Sequence, residues 1–270
     1  MSAWLEAIDG VKHPALRRAR ALATPAGRAR AQQFLIEGDG LIRQALAAGA
    51  GVAEAFLLAG VEVDASLGES LARAGVRCHT LSRGLLTKIL GTGYDTSVTA
   101  VAIVPMRLST VEALPGMGGP LLVCERIQDP RNVGVLLRTA EAGGAKGALL
   151  SADCAEPFSR AAVRSSTGSI LRLPLAVSDD LPRDLRSLHA AGLRVIATSA
   201  RAPTPIRAAR LDRRCAIVVG NESEGVSAET MQLADDTVAI PVAGGASSFN
   251  VTVAAGILLY ESRRGEAGEE

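Results

Sequence analysis

The sequence predicts an α/β protein: a parallel-sheet domain in the second half of the chain, with a smaller α/β domain ahead of it. Three observations carry this. From Leu121 onward, short continuous apolar runs alternate with helix-length segments, which is the pattern of a parallel sheet covered on both faces. The chain is 48% hydrophobic but only 3% aromatic, so Val, Ile, Leu and Ala fill the cores. The stretch Leu114-Pro115-Gly116-Met117-Gly118-Gly119-Pro120 concentrates the residues that break regular structure. We therefore expect one domain over 1–113, a linker over 114–120 and a second domain over 121–270.

In the first domain, residues His13 to Ala48 read as helices, interrupted by a short strand and turn at Phe34-Leu35-Ile36-Glu37-Gly38. Gly49 and Gly51 stop the last of these helices. Strands follow at Val52–Leu58, Val76–Leu81 and Val98–Val104, with helices at Glu69–Ala74 and Ser82–Leu90. In the second domain, strands are expected at Leu121–Arg126, Gly147–Leu150, Leu173–Val177, Arg194–Thr198, Cys215–Val219 and Thr237–Ile240. The helices between them are Gly134–Gly143, Ala155–Thr167, Asp180–Ala191, Ser227–Leu233 and Val251–Arg263.

Composition excludes several classes. The net charge of +1 gives no whole-molecule field that selects nucleic acid. Locally, Lys12 to Arg30 carries Lys12, Arg17, Arg18, Arg20, Arg28 and Arg30 and no acid. That suits either a solvated helix face or a phosphate-binding surface. Cys78, Cys124, Cys154 and Cys215 contain no C-x-x-C pair, so neither a zinc site nor a disulfide framework is expected. His13, His79 and His189 stand apart in the sequence, and no metal site is expected. There is no apolar run of membrane-spanning length and no apolar core of a signal peptide, so the expectation is a cytoplasmic protein without a membrane partner. Neither a G-x-G-x-x-G after the first strand of a domain nor a G-x-x-x-x-G-K-[ST] is present.

Ligands of parallel α/β sheets bind at the carboxyl ends of the strands. Three unusual loops follow strands Leu121–Arg126, Cys215–Val219 and Thr237–Ile240. The first runs Glu125 to Gly134 and leads into a helix with Arg138 and Glu141. Taken alone, Asn132 suits a helix N-cap and Arg138 an ion pair with Glu141. The second is Gly220-Asn221-Glu222-Ser223-Glu224-Gly225. The third, Ile240 to Asn250, is small and uncharged and offers Ser247, Ser248 and Asn250 at the start of an apolar helix. Such a loop permits close backbone approach to a polar ligand.

Together the three loops resemble the motifs of the SpoU/TrmH family of RNA ribose 2′-O-methyltransferases. The matching wording is Asp-Pro-x-Asn-x-Gly-x-x-x-Arg-Thr-Ala from Asp129, Gly-Asn-Glu-x-x-Gly from Gly220, and Ile240-Pro241 followed by Ser-x-Asn-Val-x-Val-Ala from Ser248. The resemblance implies a deep trefoil knot, S-adenosylmethionine as cofactor and a homodimer with RNA across both subunits. The long N-terminal domain is similar to the substrate-binding domain of the ribosomal-RNA branch, which implies 23S ribosomal RNA as substrate. Transfer RNA, or a silent RNA-binding protein, are the alternatives. By the same resemblance, Thr198, Gly220, Asn221, Ile240, Phe249, Asn250 and Val251 contact the cofactor, and Asn132, Arg138, Glu222, Ser248 and Asn250 serve catalysis. Arg17, Arg18, Arg20, Arg28 and Arg30 are the expected RNA contacts. The family usually has Leu where this chain has Phe249. The family's proposed proton acceptor matches Arg138, but a guanidinium does not deprotonate in proteins; phosphate binding and alkoxide stabilisation suit it better.

Overall fold

A computed structural model describes residues 5–61, 64–91, 97–212, 214–245 and 247–264. The chain forms two compact units, Met1–Met106 with Phe158–Arg172, and Arg107–Pro157 with Leu173–Glu270.

The first unit holds a five-stranded sheet of order β1-β4-β3-β5-β2. Its strands are β1 (Leu5–Ile8), β2 (Gln33–Glu37), β3 (Glu54–Leu58), β4 (Arg77–Leu81) and β5 (Ala100–Pro105). Strands β1, β4 and β3 are parallel, and β5 is antiparallel to both β3 and β2. Helices α1 (Pro14–Ala21), α2 (Pro25–Ala31), α3 (Asp39–Ala47), α4 (Ala65–Arg73) and α5 (Arg83–Leu90) complete its N-terminal part. One core cluster joins Leu16 and Ala19 of α1, Leu86 and Ile89 of α5, and Phe56, Val101 and Ile103 of the sheet. Strand β1 has no counterpart in the sequence reading, because only Ile8 of its four residues is buried and no alternation marks it.

Two expectations change here. Arg28 is not a surface cation: it is buried, and its Nη1 donates to the Leu22 carbonyl at 2.8 Å. It ties the α1–α2 turn together, and at Gly27 of the same hairpin an added Cβ would lie 1.8 Å from the Ala21 carbonyl oxygen. Arg18 is half-exposed but paired, its Nη2 donating to Glu54 at 2.6 Å. Arg17, Arg20 and Arg30 are exposed.

The histidines are not all apart, either. The His13 and His79 rings are 5.9 Å apart, and His79 stacks on Phe56. Around buried His79 lie Glu6 of β1 (3.1 Å), Glu54 of β3 (3.9 Å) and Arg77, which is 2.9 Å from Glu54. Burial pushes the His79 imidazole below its ordinary value, more than Glu54 and Glu6 raise it, with His13 and Arg77 adding to the lowering. The unfolded chain therefore binds the proton more readily than the folded one. Stability should fall as pH drops below about 6.5, the unperturbed imidazole value. The urea midpoint of the first unit, followed by hydrogen exchange in β3 and β4, should decline from pH 7.5 to 5.5, and less steeply in His79→Gln. Equal slopes would remove His79 from the explanation.

The segment expected as one helix over Ala155–Thr167 is shorter, α7 (Arg160–Ser166), and belongs to the first unit. Phe158 packs on Phe34 with ring centroids 5.0 Å apart. The Arg160 guanidinium grips the Glu37 carboxylate through two bonds, one of them Nη2 to Oε2 at 2.9 Å.

The second unit is a seven-stranded sheet, parallel throughout, of order β10-β12-β9-β11-β6-β7-β8. Its strands are β6 (Leu121–Cys124), β7 (Gly147–Ser151), β8 (Leu175–Ser178), β9 (Arg194–Thr198), β10 (Thr204–Pro205), β11 (Cys215–Val219) and β12 (Asp236–Ala239). Alternate residues of a strand face opposite sides. Val123, Leu149, Val195 and Val218 cluster with Leu181, Leu185 and Leu188 of α8 (Leu181–Ala190). Helix α9 (Ala228–Leu233) packs beside α8. Helices α6 (Pro130–Ala142) and α10 (Val251–Ser262) pack on each other, with α6 against β7 and α10 against β11.

The expected linker 114–120 falls inside this unit. Residues Val111–Met117 form a 3₁₀ helix, and Val111 and Leu114 are buried in the α8-side cluster. The units divide at Met106 and Arg107 instead. Val111 and Leu114, just ahead of the Pro and Gly residues, anchor the start of the segment despite the chain-breaking composition that follows, and Met117 among those residues is exposed. Among the described residues, no helix is long and apolar enough to cross a membrane.

Candidate active site

Because all seven strands run the same way, their carboxyl ends share one edge, and the three unusual loops leave from it. The helices reinforce this. A Cβ on Gly143 would meet Leu259, and one on Gly256 would meet Thr139. Residue 139 of α6 and the C-cap residue 143 thus face 256 and 259 of α10, so the helices run parallel and their N-termini lie toward the same end. Those N-termini carry Asn132 and Asn250.

The first two loops are held together by hydrogen bonds in both directions. Strand β6 stops at Cys124, short of the expected Arg126, because Arg126 turns the chain with φ of +55°. From the first loop, the buried Glu125 carboxylate accepts from Ser227 N (2.9 Å) and Thr230 Oγ1 (3.0 Å), fixing the start of α9. From the second loop, the Glu222 carboxylate accepts from Asn132 Nδ2 (2.8 Å), Gln128 N (3.3 Å) and Asp129 N (3.4 Å). Asn221 donates from Nδ2 to the Arg126 carbonyl at 2.9 Å, and its Oδ1 accepts from Ser223 N and Glu224 N. Partial burial raises the Glu222 pKa. The bonds from Asn132 and from the backbone N–H groups of Glu222, Gln128 and Asp129 outweigh that and hold it below the ordinary value. The side chain is therefore an anion at neutral pH, and it orients the Asn132 amide.

Asn132 does not cap α6. Asp129 does, its Oδ1 accepting from Arg131 N at 2.8 Å. Asn132 is free for Glu222 because Asp129 already serves the helix end. Nor is the Arg138 ion pair with Glu141 present: Arg138 is exposed, and among the described residues its guanidinium has no hydrogen-bond or ion-pair partner.

Gly220 fits because nothing larger can. A Cβ there would lie 2.2 Å from Gly225 C and 2.3 Å from Gly225 O and Val226 N. The loop folds back on itself, with Gly225 N donating to Asn221 O at 2.9 Å.

The third loop is open. Ser247, Ser248, Phe249 and Asn250 are all exposed, and Ile240 and Val251 are half-buried. Asn250 caps α10, its Oδ1 accepting from Thr252 N (2.9 Å) and Thr252 Oγ1 (2.6 Å). Thr198, at the end of β9, donates from Oγ1 to the Val218 carbonyl at 2.9 Å. The geometry thus ties Asn132, Asn221 and Glu222 directly to one another's loops. Ser248, Phe249 and Asn250 stand at the parallel helix end without a direct bond to those loops.

Two residues of the clasp, Glu125 and Arg126, lie in the first loop of the sequence analysis but carry no assigned role there. A carboxylate directly after the wholly apolar Leu121–Cys124 is the signal that could have marked Glu125. Arg126 has no such signal, since its role depends on a backbone dihedral.

The family model described as SpoU rRNA Methylase family matches residues 119–260, more than half of the chain. The chain belongs to the SpoU rRNA methylase family. A second model, Thiostrepton-resistance methylase, N terminus, matches residues 5–114, so the two models meet within the Pro/Gly-rich stretch that begins at Leu114. This SpoU-family chain is 34% identical to an uncharacterized tRNA/rRNA methyltransferase of Synechocystis, over 96% of its own length and 94% of the relative's. It is 29% identical to the 23S rRNA (guanosine(2553)-2′-O)-methyltransferase RlmP of Bacillus subtilis, covering 96% and 100% of the two chains. Among solved structures, the AdoMet-bound rRNA methyltransferase from Sinorhizobium meliloti superposes with a TM-score of 0.85 at 27% identity, covering 97% of this chain and 99% of that one. AviRb from Streptomyces viridochromogenes with the cofactor AdoMet gives 0.84 at 27% identity, covering 96% and 100%. The SpoU-family chain is thus an RNA methyltransferase that depends on S-adenosylmethionine.

The residues at the edge fit that cofactor chemically. Exposed Phe249 and half-buried Ile240 and Val251 offer apolar surface for a nucleoside, next to an uncharged loop with hydroxyl groups. No basic side chain stands within Ile240–Val251 to repel a sulfonium.

Proposed function

We propose that this SpoU-family protein methylates a ribose 2′-hydroxyl of RNA, with 23S ribosomal RNA as substrate, and works in the cytoplasm as a homodimer. The observation that carries the reading is the Glu222–Asn132 bond, which fixes an amide on the helix that also carries Arg138, without a partner among the described residues, at the edge where the uncharged third loop begins. The alignment with RlmP, at 29% identity over 96% of this chain, supports the substrate.

Bound S-adenosylmethionine supplies a methyl group on an electrophilic sulfonium. The chain's part is position and charge. Gly220, Asn221, Ile240, Phe249, Asn250, Val251 and Thr198 form the cofactor-binding surface. Asn132, aimed by the Glu222 carboxylate, and Ser248 orient the attacking hydroxyl. Arg138 binds the neighbouring phosphate and stabilises negative charge as it develops on the 2′-oxygen. Arg138 does not take the hydroxyl proton, which passes to solvent water as the methyl–oxygen bond forms.

The polypeptide from Cys215 to Ser262 forms the knotted part in this reading. Its support is topological: β11 lies between β6 and β9, β12 lies beyond β9, and α10 then returns to α6. For the dimer, the support is Phe249, Val253 and Tyr260, which leave 40%, 47% and 80% of their surface exposed on or beside α10.

RNA contacts in the first unit are Arg17, Arg20 and Arg30, exposed members of the basic run; Arg18, also exposed, is held by Glu54. Neutralising Arg17 and Arg20 together should reduce the slope of log K against log salt by roughly 1.4 to 1.8. A slope equal to wild type would exclude both as phosphate contacts. The substrate is tested by incubating purified protein with labelled cofactor and fractionated RNA from an unmodified strain. Label should enter 23S RNA, and label confined to transfer RNA would overturn that assignment.

A further inference from the structure

The first loop contains a residue held in an unfavourable state by its partners. Arg126 is one of three non-glycine residues with positive φ among the described residues, at +55°. Its Nε is buried and has no hydrogen-bond partner. Both features oppose folding: a left-handed backbone strains a side chain that carries Cβ, and a buried donor without an acceptor loses its water. Such features persist where the surroundings over-determine them, and they concentrate at functional sites.

What holds Arg126 is a junction of three strand ends. Its N–H donates to Ser151 Oγ at 2.9 Å, at the end of β7. Its carbonyl accepts from Asn221 Nδ2 at 2.9 Å and from Gln128 Nε2 at 3.2 Å. Its guanidinium crosses to the second loop, where Nη1 pairs with Glu224 and Nη2 donates to the Gly225 carbonyl at 3.4 Å. The left-handed turn sends the side chain across to β11's loop, rather than onward with β6. The loop it reaches is the one whose Gly220 and Gly225 backbones are in contact.

We propose that Arg126 is a positioning residue for the cofactor: its guanidinium, through Glu224 and the Gly225 carbonyl, holds the Gly220–Gly225 loop in its binding shape. This rests on the reading of that loop as cofactor surface. Arg126 touches no reacting atom in this role, so its loss weakens methyl-donor binding and leaves the chemical step alone.

The backbone angle provides a clean variant. Glycine adopts φ of +55° without strain, so Arg126→Gly removes the guanidinium and relieves the backbone together. The thermal unfolding midpoint should stay equal to wild type or rise, while KM and Kd for S-adenosylmethionine rise about tenfold and kcat at saturating cofactor stays within about twofold. Glu224→Gln should show the same defect more weakly. Combining the two should add little, because both act through one contact. Arg126→Lys restores a charge and should recover part of the affinity. A wild-type cofactor affinity in Arg126→Gly would overturn the proposal, and so would a lowered midpoint with a matching loss of kcat, which marks a structural role. Wild-type protein that fails to bind S-adenosylmethionine would instead overturn the reading of the loop.

Discussion

Replacing Arg138 with Ala leaves S-adenosylmethionine affinity within about twofold of wild type and lowers turnover by about 10²- to 10³-fold, the usual loss when one group that stabilises developing negative charge is removed. The structure makes the experiment clean. Arg138 is exposed and has no partner among the described residues, so its removal orphans no buried charge. The side chain sits on α6, whose core face is Val133, Leu136, Leu137 and Ala140, and that face is untouched by the change. Arg138→Lys keeps the charge and loses the planar fork that matches a phosphate. It should therefore recover only part of the rate. Isothermal titration with the cofactor, beside single-turnover methyl transfer, separates the two quantities. An equal fall in cofactor affinity and rate would place Arg138 in the cofactor pocket instead.

Gly220→Ala should be the most damaging single methyl group in the second unit. The three atoms it would strike, at 2.2 and 2.3 Å, all belong to the backbone of Gly225 and Val226. No side-chain rotation can make room, so the loop must open and the Asn221–Gly225 bridge must break. Overpacking of this kind costs about 1–3 kcal/mol or more, and the loop's binding shape goes with it. Cofactor affinity should fall at least about 100-fold, which corresponds to about 2.7 kcal/mol. Gly116→Ala is the matched control in the same unit but outside the three loops, since a Cβ there meets nothing within 4 Å and its φ lies outside the strained range. That variant should bind nearly normally. Normal binding by Gly220→Ala would mean that the second loop lies away from the cofactor.

The elements of the second unit were legible because their strands are buried on both faces and read as unbroken apolar runs between helices. The loops were legible as wording, since each is a contiguous string. What joins them was not: Asn132 and Glu222 are far apart in sequence, and their bond arises only once β6 and β11 are adjacent. The same holds for Glu125 with Thr230 and for His13 with His79. Arg28 illustrates the opposite failure. A run of arginines without acids looks uniform in sequence, yet the tight hairpin at Gly27 turns one of them inward onto a carbonyl and leaves Arg17, Arg20 and Arg30 outside. In the Pro/Gly stretch after Leu114, where the two family models meet, composition weakens helices but does not prevent Val111 and Leu114 from finding a core.

The most direct test of the central claim is where the methyl group goes. A ribose 2′-hydroxyl is the group that attacks the adjacent phosphodiester in alkali, so methylating it protects that one linkage. RNA labelled by the purified protein from methyl-labelled S-adenosylmethionine, then hydrolysed in alkali, should retain its label in dinucleotides. Label released in mononucleotides would place the methyl on a base and contradict ribose methylation.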